Sequence, residues 1–207
     1  MPLLRLENVT LSRDGRTVLE NVSLELTSGE KVGLIGPNGV GKTSLLHLLV
    51  GLLKPQQGSI FLKGQKLAAE SDFVAARRSL GLLFQDSDDQ LFCPTVLEDV
   101  AFGPLNLGAD PKEAESTAHA TLARLGIEKL ADRVTYRLSG GEKRLVALAT
   151  VLAMQPEILL LDEPTTGLDF ETTERIGQLL AELPQAMLIV SHDTDFLAPL
   201  TDRTVIL

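Results

Sequence analysis

Lys31-Val32-Gly33-Leu34-Ile35-Gly36-Pro37-Asn38-Gly39-Val40-Gly41-Lys42-Thr43-Ser44 is the stretch that decides how this chain is read. Its first five residues form a short, nearly continuous apolar run, the pattern of a strand buried on both faces of a parallel sheet. Gly36 to Thr43 match G-x-x-x-x-G-K-[ST], and Leu45, Leu46, Leu48 and Leu49 follow as an apolar helix would. Strand, glycine loop and helix, in that order, are the setting in which this motif holds phosphates. Gly39 and Gly41 let the backbone curl so that successive N–H groups converge on an anion, and the helix start adds its positive end. Lys42 is placed to reach the β- and γ-phosphates of a nucleotide, and the Thr43 hydroxyl to ligate magnesium. Gly36, Pro37, Asn38, Gly39, Val40, Gly41, Lys42, Thr43 and Ser44 are therefore the expected phosphate-binding residues. A chance glycine turn ahead of a helix is the bland alternative.

Comparable apolar runs recur at Leu80 to Phe84, Ile158 to Leu161 and Met187 to Val190, and together they predict a mainly parallel sheet. Ligands of open α/β sheets sit at the carboxyl ends of the strands. Ile158 to Leu161 run directly into Asp162-Glu163. Burying unpaired carboxylates is so costly that two adjacent acids at a strand end imply a cation or a reaction. Asp162 suits magnesium, held through its water shell, and Glu163 suits the polarising of an attacking water. The competing explanation is that both acids cap the helix after Pro164. Leu4 to Val9 and Val22 to Leu26 alternate apolar with polar, as half-exposed antiparallel strands do, with Asp14-Gly15 as a turn signal between them. The spacing of Ala114, Ala118, Leu122 and Leu125 predicts an amphipathic helix between Pro111 and Leu130, part of a separate helical lobe between two strands of the sheet.

Composition narrows the function. The 207 residues, 44% hydrophobic, suffice for one folding unit. A net charge of -9 weighs against a grip on nucleic-acid phosphates and points to protein partners. Cys93 stands alone, which excludes an internal disulfide and leaves too few thiolates for a zinc or iron–sulfur site; it reads as a small apolar filler. No stretch approaches the roughly 20 apolar residues that cross a bilayer, and Met1 to Asn8 lack a signal-peptide layout. His47 and His119 are expected on helix surfaces or in packing.

Leu138-Ser139-Gly140-Gly141-Glu142, ahead of the acidic strand, resembles the signature motif of ATP-binding-cassette (ABC) ATPases. Locally, Ser139 with Glu142 is a capping box, and the glycines leave the helix N–H groups open to an anion. The resemblance implies that Ser139, Gly140 and Gly141 contact the γ-phosphate of ATP held by an opposite subunit, hence a head-to-tail dimer with two shared sites, whether a homodimer or a pair of related paralogues. Gln85 resembles the glutamine that ligates magnesium and links the helical lobe to the nucleotide. Thr166-Gly167-Leu168-Asp169 resembles the loop that communicates across the dimer, and Ser191-His192-Asp193 the switch whose histidine senses the γ-phosphate. The likeness runs from the first strand to Leu207. It implies an α/β cassette of the P-loop NTPase class over residues 1–207, with a mainly parallel core sheet, an N-terminal antiparallel β subdomain and a helical subdomain inserted at about 86–138. It also implies ATP hydrolysis with ATP and Mg2+ bound. One departure stands out: the family often stacks an aromatic residue on adenine where this chain has Leu11-Ser12-Arg13, so the base is stacked by the Arg13 guanidinium or is held loosely.

Gln85 to Phe92 and Val100 to Gly108 are similar to the corresponding segment of energy-coupling-factor ATPases, which drive uptake of cobalt, nickel or vitamins. That similarity implies a transmembrane coupling subunit, a membrane substrate-binding subunit, and a place at the cytoplasmic face of the cell membrane. Between residues 86 and 117, Asp86, Asp88, Asp89, Glu98, Asp99, Asp110, Glu113 and Glu115 oppose only Lys112. Such a run is often just a solvated face. Because the membrane subunits of this group carry arginine-bearing coupling helices, these acids, Asp88 and Asp89 among them, are also candidates for docking one. Two other classes compete. One is an ABC ATPase acting on ribosomes or DNA, though this chain has no second cassette, zinc insertion or basic arm. The other is a regulator that binds ATP without turning it over, which the presence of both Glu163 and His192 opposes.

Overall fold

The computed structural model describes residues 1–13 and 15–207. Asp14, half of the expected turn, lies outside the described residues; Gly15 beside it has φ 76°. On either side run β1 (Leu4–Arg13) and β2 (Arg16–Leu26), paired antiparallel from Leu4 opposite Leu26. β4 (Gln57–Leu62) and β5 (Gln65–Leu67) extend this sheet in the order β2-β1-β4-β5. The inward set along β1 is Leu4, Leu6, Val9 and Leu11, an alternation that slips between Leu6 and Val9. A register irregularity accounts for the slip: Asn8 sits at φ 49° and the ladder shifts there on both sides.

β3 (Lys31–Ile35), β6 (Leu80–Leu83), β7 (Ile158–Asp162), β8 (Ala186–Val190) and β9 (Arg203–Ile206) form a second sheet, order β6-β7-β8-β3-β9, in which every pairing is parallel. The continuous apolar runs have a direct cause. Ile158 and Leu160 turn toward α1 (Lys42–Leu49) and the antiparallel sheet, whereas Leu159 and Leu161 turn toward the helices on the other side. Those helices are α3 (Val96–Leu107), α4 (Pro111–Arg124), α5 (Gly140–Ala153) and α6 (Phe170–Glu182); short α2 (Glu70–Ala76) and α7 (Thr194–Leu197) complete the set. The amphipathic helix buries Ala114, Ala118 and Leu122 as its spacing predicts, but it ends at Arg124 rather than near Leu130, because Gly126 turns the chain at φ 65°. No described helix is long and apolar enough to cross a membrane.

Candidate active site

The carboxyl ends of β3, β6, β7 and β8 converge on one cleft of about 440 Å³, lined by Asn38, Gly39, Gly41, Lys42, Thr43, Ser44, Gln85, Asp162, Glu163, Val190 and His192, with Arg13 and Val18 at its side. α1 begins here without a side-chain cap and without an acid in its first turn. By contrast, Thr95, Asp110, Ser139 and Asp169 cap α3, α4, α5 and α6 through their side chains. A helix start left open in this way is an anion site by its own electrostatics. Lys42 is 6% exposed and its Nζ donates to the carbonyls of Gly36 (2.7 Å) and Pro37 (3.0 Å), so the ammonium is held inside the curl of its own loop.

Across the cleft Asp162 is 2% exposed, and its Oδ1 has no hydrogen-bond partner. Burial pushes its carboxyl above the ordinary range, while the Thr43 hydroxyl pulls the other way. Glu163 holds a left-handed backbone, φ 52°, which is uncommon away from glycine and recurs at functional sites. Its N–H donates to the Val190 carbonyl at 2.9 Å, tying the turn to β8. The Oε1 of Glu163 makes no hydrogen bond and lies 3.4 Å from His192 Nε2. Burial raises the Glu163 pKa, with His192 opposing. Two neighbouring carboxylates, each with a buried unbonded oxygen, facing a lysine and an open helix start, fit a hydrated cation carried on phosphates. Among the described residues no group of three or more His, Cys, Asp or Glu side chains could hold a metal unaided. Magnesium, which keeps several waters and shares its shell with substrate phosphates, does not need one.

The remaining expected residues lie elsewhere. Ser139, Gly140 and Gly141 line no part of this cleft. Ser139 caps α5: its Oγ accepts from the Glu142 N–H at 3.3 Å, and Glu142 accepts in return from the Ser139 N–H at 2.8 Å. Asp169 caps α6, accepting from Thr172 N–H and Oγ1 at 2.8 Å each, and the Thr172 N–H holds its pKa down. These two helix starts adjoin: a Cβ on Gly141 would meet the Gly167 carbonyl at 3.4 Å. One chain thus carries a cleft with an open helix start and, apart from it, a second glycine-bearing helix start. His47 is half-buried; its ring leans on Phe84 at 5.8 Å, and burial lowers its pKa. Sequence reading missed Arg144. The available signal was a charge on the same helical face as Leu148 and Val151, both buried.

Away from the cleft, a groove of about 280 Å³ opens between β6, α3 and α5, walled by Leu52, Phe92, Phe102 and Met154. Phe92 and Phe102 are 65% and 43% exposed and meet edge to face at 4.7 Å. Asp99, 2% exposed, lies on its lining; burial raises its pKa, although the N–H groups of Phe92 and Cys93 donate to it. Neither Asp88 nor Asp89 lines this groove. Asp88 is 2.5 Å from Lys143 Nζ, and Asp86 caps a 3-10 turn at Ser87–Asp89.

The family profile described as "ABC transporter" matches residues 19–166. An ABC transporter ATP-binding protein of Brucella suis is 55% identical over all of this chain and 86% of its own length. The cobalt import ATP-binding protein CbiO of Rhodobacter capsulatus is 45% identical over 99% of this chain and 75% of its own. Among solved structures, cbiO1 of Clostridium perfringens, part of the ABC transporter complex cbiONQ, superposes with a TM-score of 0.86 at 36% identity, covering 99% of this chain and 84% of that one. A dimeric ATP-binding cassette in a post-hydrolysis state with ADP and Pi gives 0.89 at 31% identity, covering 99% and 94%. The chain belongs to the ABC transporter family, as an ATP-binding subunit that hydrolyses ATP with Mg2+ and works with a second cassette and transmembrane subunits.

Proposed function

We propose that this subunit powers an energy-coupling-factor-type importer of cobalt, nickel or a vitamin, at the cytoplasmic face of the cell membrane. The similarity to a cobalt import ATPase over 99% of the chain is the observation that carries this reading. The groove beside α3 supports it: an apolar trough with exposed Phe92 and Phe102 and one buried acid, Asp99, suits an amphipathic coupling helix bearing a cation, since Arg77 on the same lining is already paired with Glu70 and the Val50 carbonyl. Asp99 is placed better for that contact than Asp88, which already pairs with Lys143. Residues 1–207 act as one ATPase domain, with the helices between 86 and 138 as the lobe that meets the membrane subunit.

In the hydrolytic cycle the open start of α1 and Lys42 bind the phosphate chain. Thr43, Gln85 and Asp162 hold magnesium, which neutralises phosphate charge. Glu163 accepts hydrogen-bonding from the attacking water and positions it, and His192 stands 3.4 Å from Glu163 where it can read the γ-phosphate. Ser139, Gly140 and Gly141 complete the partner's site, and Asp169, in the loop whose Gly167 adjoins Gly141, is the acidic member of the loop that communicates across the dimer. That Ser139 and Lys42 do not share a cleft within one chain supports a shared-site dimer, either a homodimer or a pair of related cassettes.

Tagged Glu163→Gln protein, expressed in its native host and recovered from gently solubilised membranes with ATP present, tests this reading. The expected co-purifying proteins are a polytopic subunit with basic cytoplasmic helices and a small substrate-binding membrane protein. Ribosomal or DNA-repair proteins without membrane subunits would overturn the transport assignment and leave the ATPase chemistry standing. The same variant should bind ATP and stay dimeric without turnover; normal hydrolysis would refute the role given to Glu163.

A further inference from the structure

Arginine ordinarily belongs on the wet side of a helix, yet Arg144 sits on the inner face of α5 and is 3% exposed. Among the described residues no carboxylate lies within ion-pairing distance of it. Its guanidinium is instead spent on five main-chain carbonyls. Nε donates to Pro164 (3.3 Å), Nη1 to Phe84 (2.5 Å) and Gln85 (3.3 Å), and Nη2 to Asp162 and to Glu163 (2.5 Å). Burial brings its pKa down to about 10, with Asp162, Glu163 and Asp86 opposing, so it remains a cation at neutral pH. Only a planar fork of five N–H groups can serve so many acceptors from one side chain.

The addresses of those carbonyls matter more than their number. Phe84 and Gln85 follow β6, and Asp162, Glu163 and Pro164 follow or end β7, so the guanidinium ties together the backbones that carry the glutamine and both carboxylates of the cleft. The helix that supplies it starts at Ser139-Gly140-Gly141, about two turns or less away along its axis. A neutral link runs beside it one turn on: the Gln90 amide accepts from the Phe84 N–H at 3.1 Å and donates to the Ala147 carbonyl at 2.8 Å and Thr150 Oγ1 at 2.7 Å.

We propose that Arg144 is a positioning residue that locks the start of α5 to the Gln85 and Asp162-Glu163 backbones of its own chain. Closure of Ser139 and Gly141 on the partner's nucleotide and alignment of Gln85 and Glu163 in this subunit then occur as one movement. The inference rests on the roles proposed above for Gln85, Glu163 and Ser139. It adds that the two half-sites of one chain are mechanically joined, through backbone carbonyls rather than through an ion pair.

Arg144→Lys and Arg144→Gln, measured beside Glu163→Gln, test it. MgATP binding by the isolated subunit should stay within about threefold of wild type, whereas kcat for phosphate release should fall at least about tenfold and the cooperativity in ATP should be lost. Lysine should not rescue, because one ammonium with three donors cannot hold five carbonyls. Near-normal kcat and cooperativity in either variant would overturn the inference. So would loss of MgATP binding together with activity, which would assign Arg144 to folding alone. If Glu163→Gln is inactive while the Arg144 variants work, only this inference fails; if Glu163→Gln hydrolyses normally, the role beneath it falls as well.

Discussion

Alanine at Gly41 and alanine at Gly39 should differ in cost, although both glycines lie in the same loop with φ of 107° and 80°. A side chain in the left-handed region costs about 1–2 kcal/mol at either position. The surroundings separate them. At Gly39 a Cβ meets nothing within 4 Å, whereas at Gly41 it would lie 2.5 Å from the Val18 carbonyl and 2.7 Å from Leu19 Cδ2. A methyl cannot occupy that space, so α1 or β2 must move, at a further cost of about 1–3 kcal/mol. For a chain of this size each kcal/mol lowers Tm by roughly 2–4 °C. Gly39→Ala should therefore lower Tm by roughly 2–8 °C and Gly41→Ala by roughly 4–20 °C, read by circular dichroism without nucleotide. Because the displaced backbone is the open start of α1, Gly41→Ala should also forfeit the gain wild type shows on adding MgATP, about 2.7 kcal/mol at a hundredfold excess over Kd. Equal losses in the two variants, or a full MgATP-dependent gain in Gly41→Ala, would refute the reasoning.

Lys42→Ala should abolish the MgATP-dependent rise in Tm and cut phosphate release by about a hundredfold or more, since it removes a preorganised charge from an anionic transition state; retention of either would tell against the cleft. Asp162→Asn should raise the Tm of the nucleotide-free protein at neutral pH by roughly 2–4 °C, because it removes about 1 kcal/mol or more of cost from a buried, partly unbonded carboxylate, and should erase the magnesium dependence of nucleotide binding; a lower Tm would count against that accounting. Asp99 gives a pH test. Its folded pKa is raised by burial, so its contribution to stability is fully present below the ordinary carboxylate pKa and is lost as pH rises through the folded value. Urea unfolding from pH 4 to pH 7 should show Asp99→Asn gaining on wild type as pH rises, and a constant difference would sink the assignment.

The parallel sheet was legible because its strands are buried on both faces and leave unbroken apolar runs, and the loop at Gly36 to Thr43 announced where their carboxyl ends gather. Boundaries were less legible. The alternation of β1 hides a register slip at Asn8, and β9 carries too little buried surface to stand out, with Arg203, Thr204 and Ile206 exposed. Lys42, Gln85, Asp162, Glu163 and His192 could each be picked out by their neighbours in sequence, and the fold brings them into one cleft. Arg144 was less legible: sharing a helical face with Leu148 and Val151 marks it as buried, but its partners are carbonyls, and a carbonyl leaves no trace in a sequence. Charge counting likewise took Asp88 and Asp99 together, as two of eight acids, and could not separate the exposed one from the one whose burial depends on how α3 packs.

The uncapped start of α1 ties the stability of this fold to what occupies the loop. Three or four of its peptide N–H groups have no helical partner, and here no side chain supplies one. Phosphate therefore acts as a removable part of the fold. Nucleotide that binds there should raise the free energy of any opening that passes through this loop, so limited proteolysis of the nucleotide-free chain should outpace that of the MgATP-bound one.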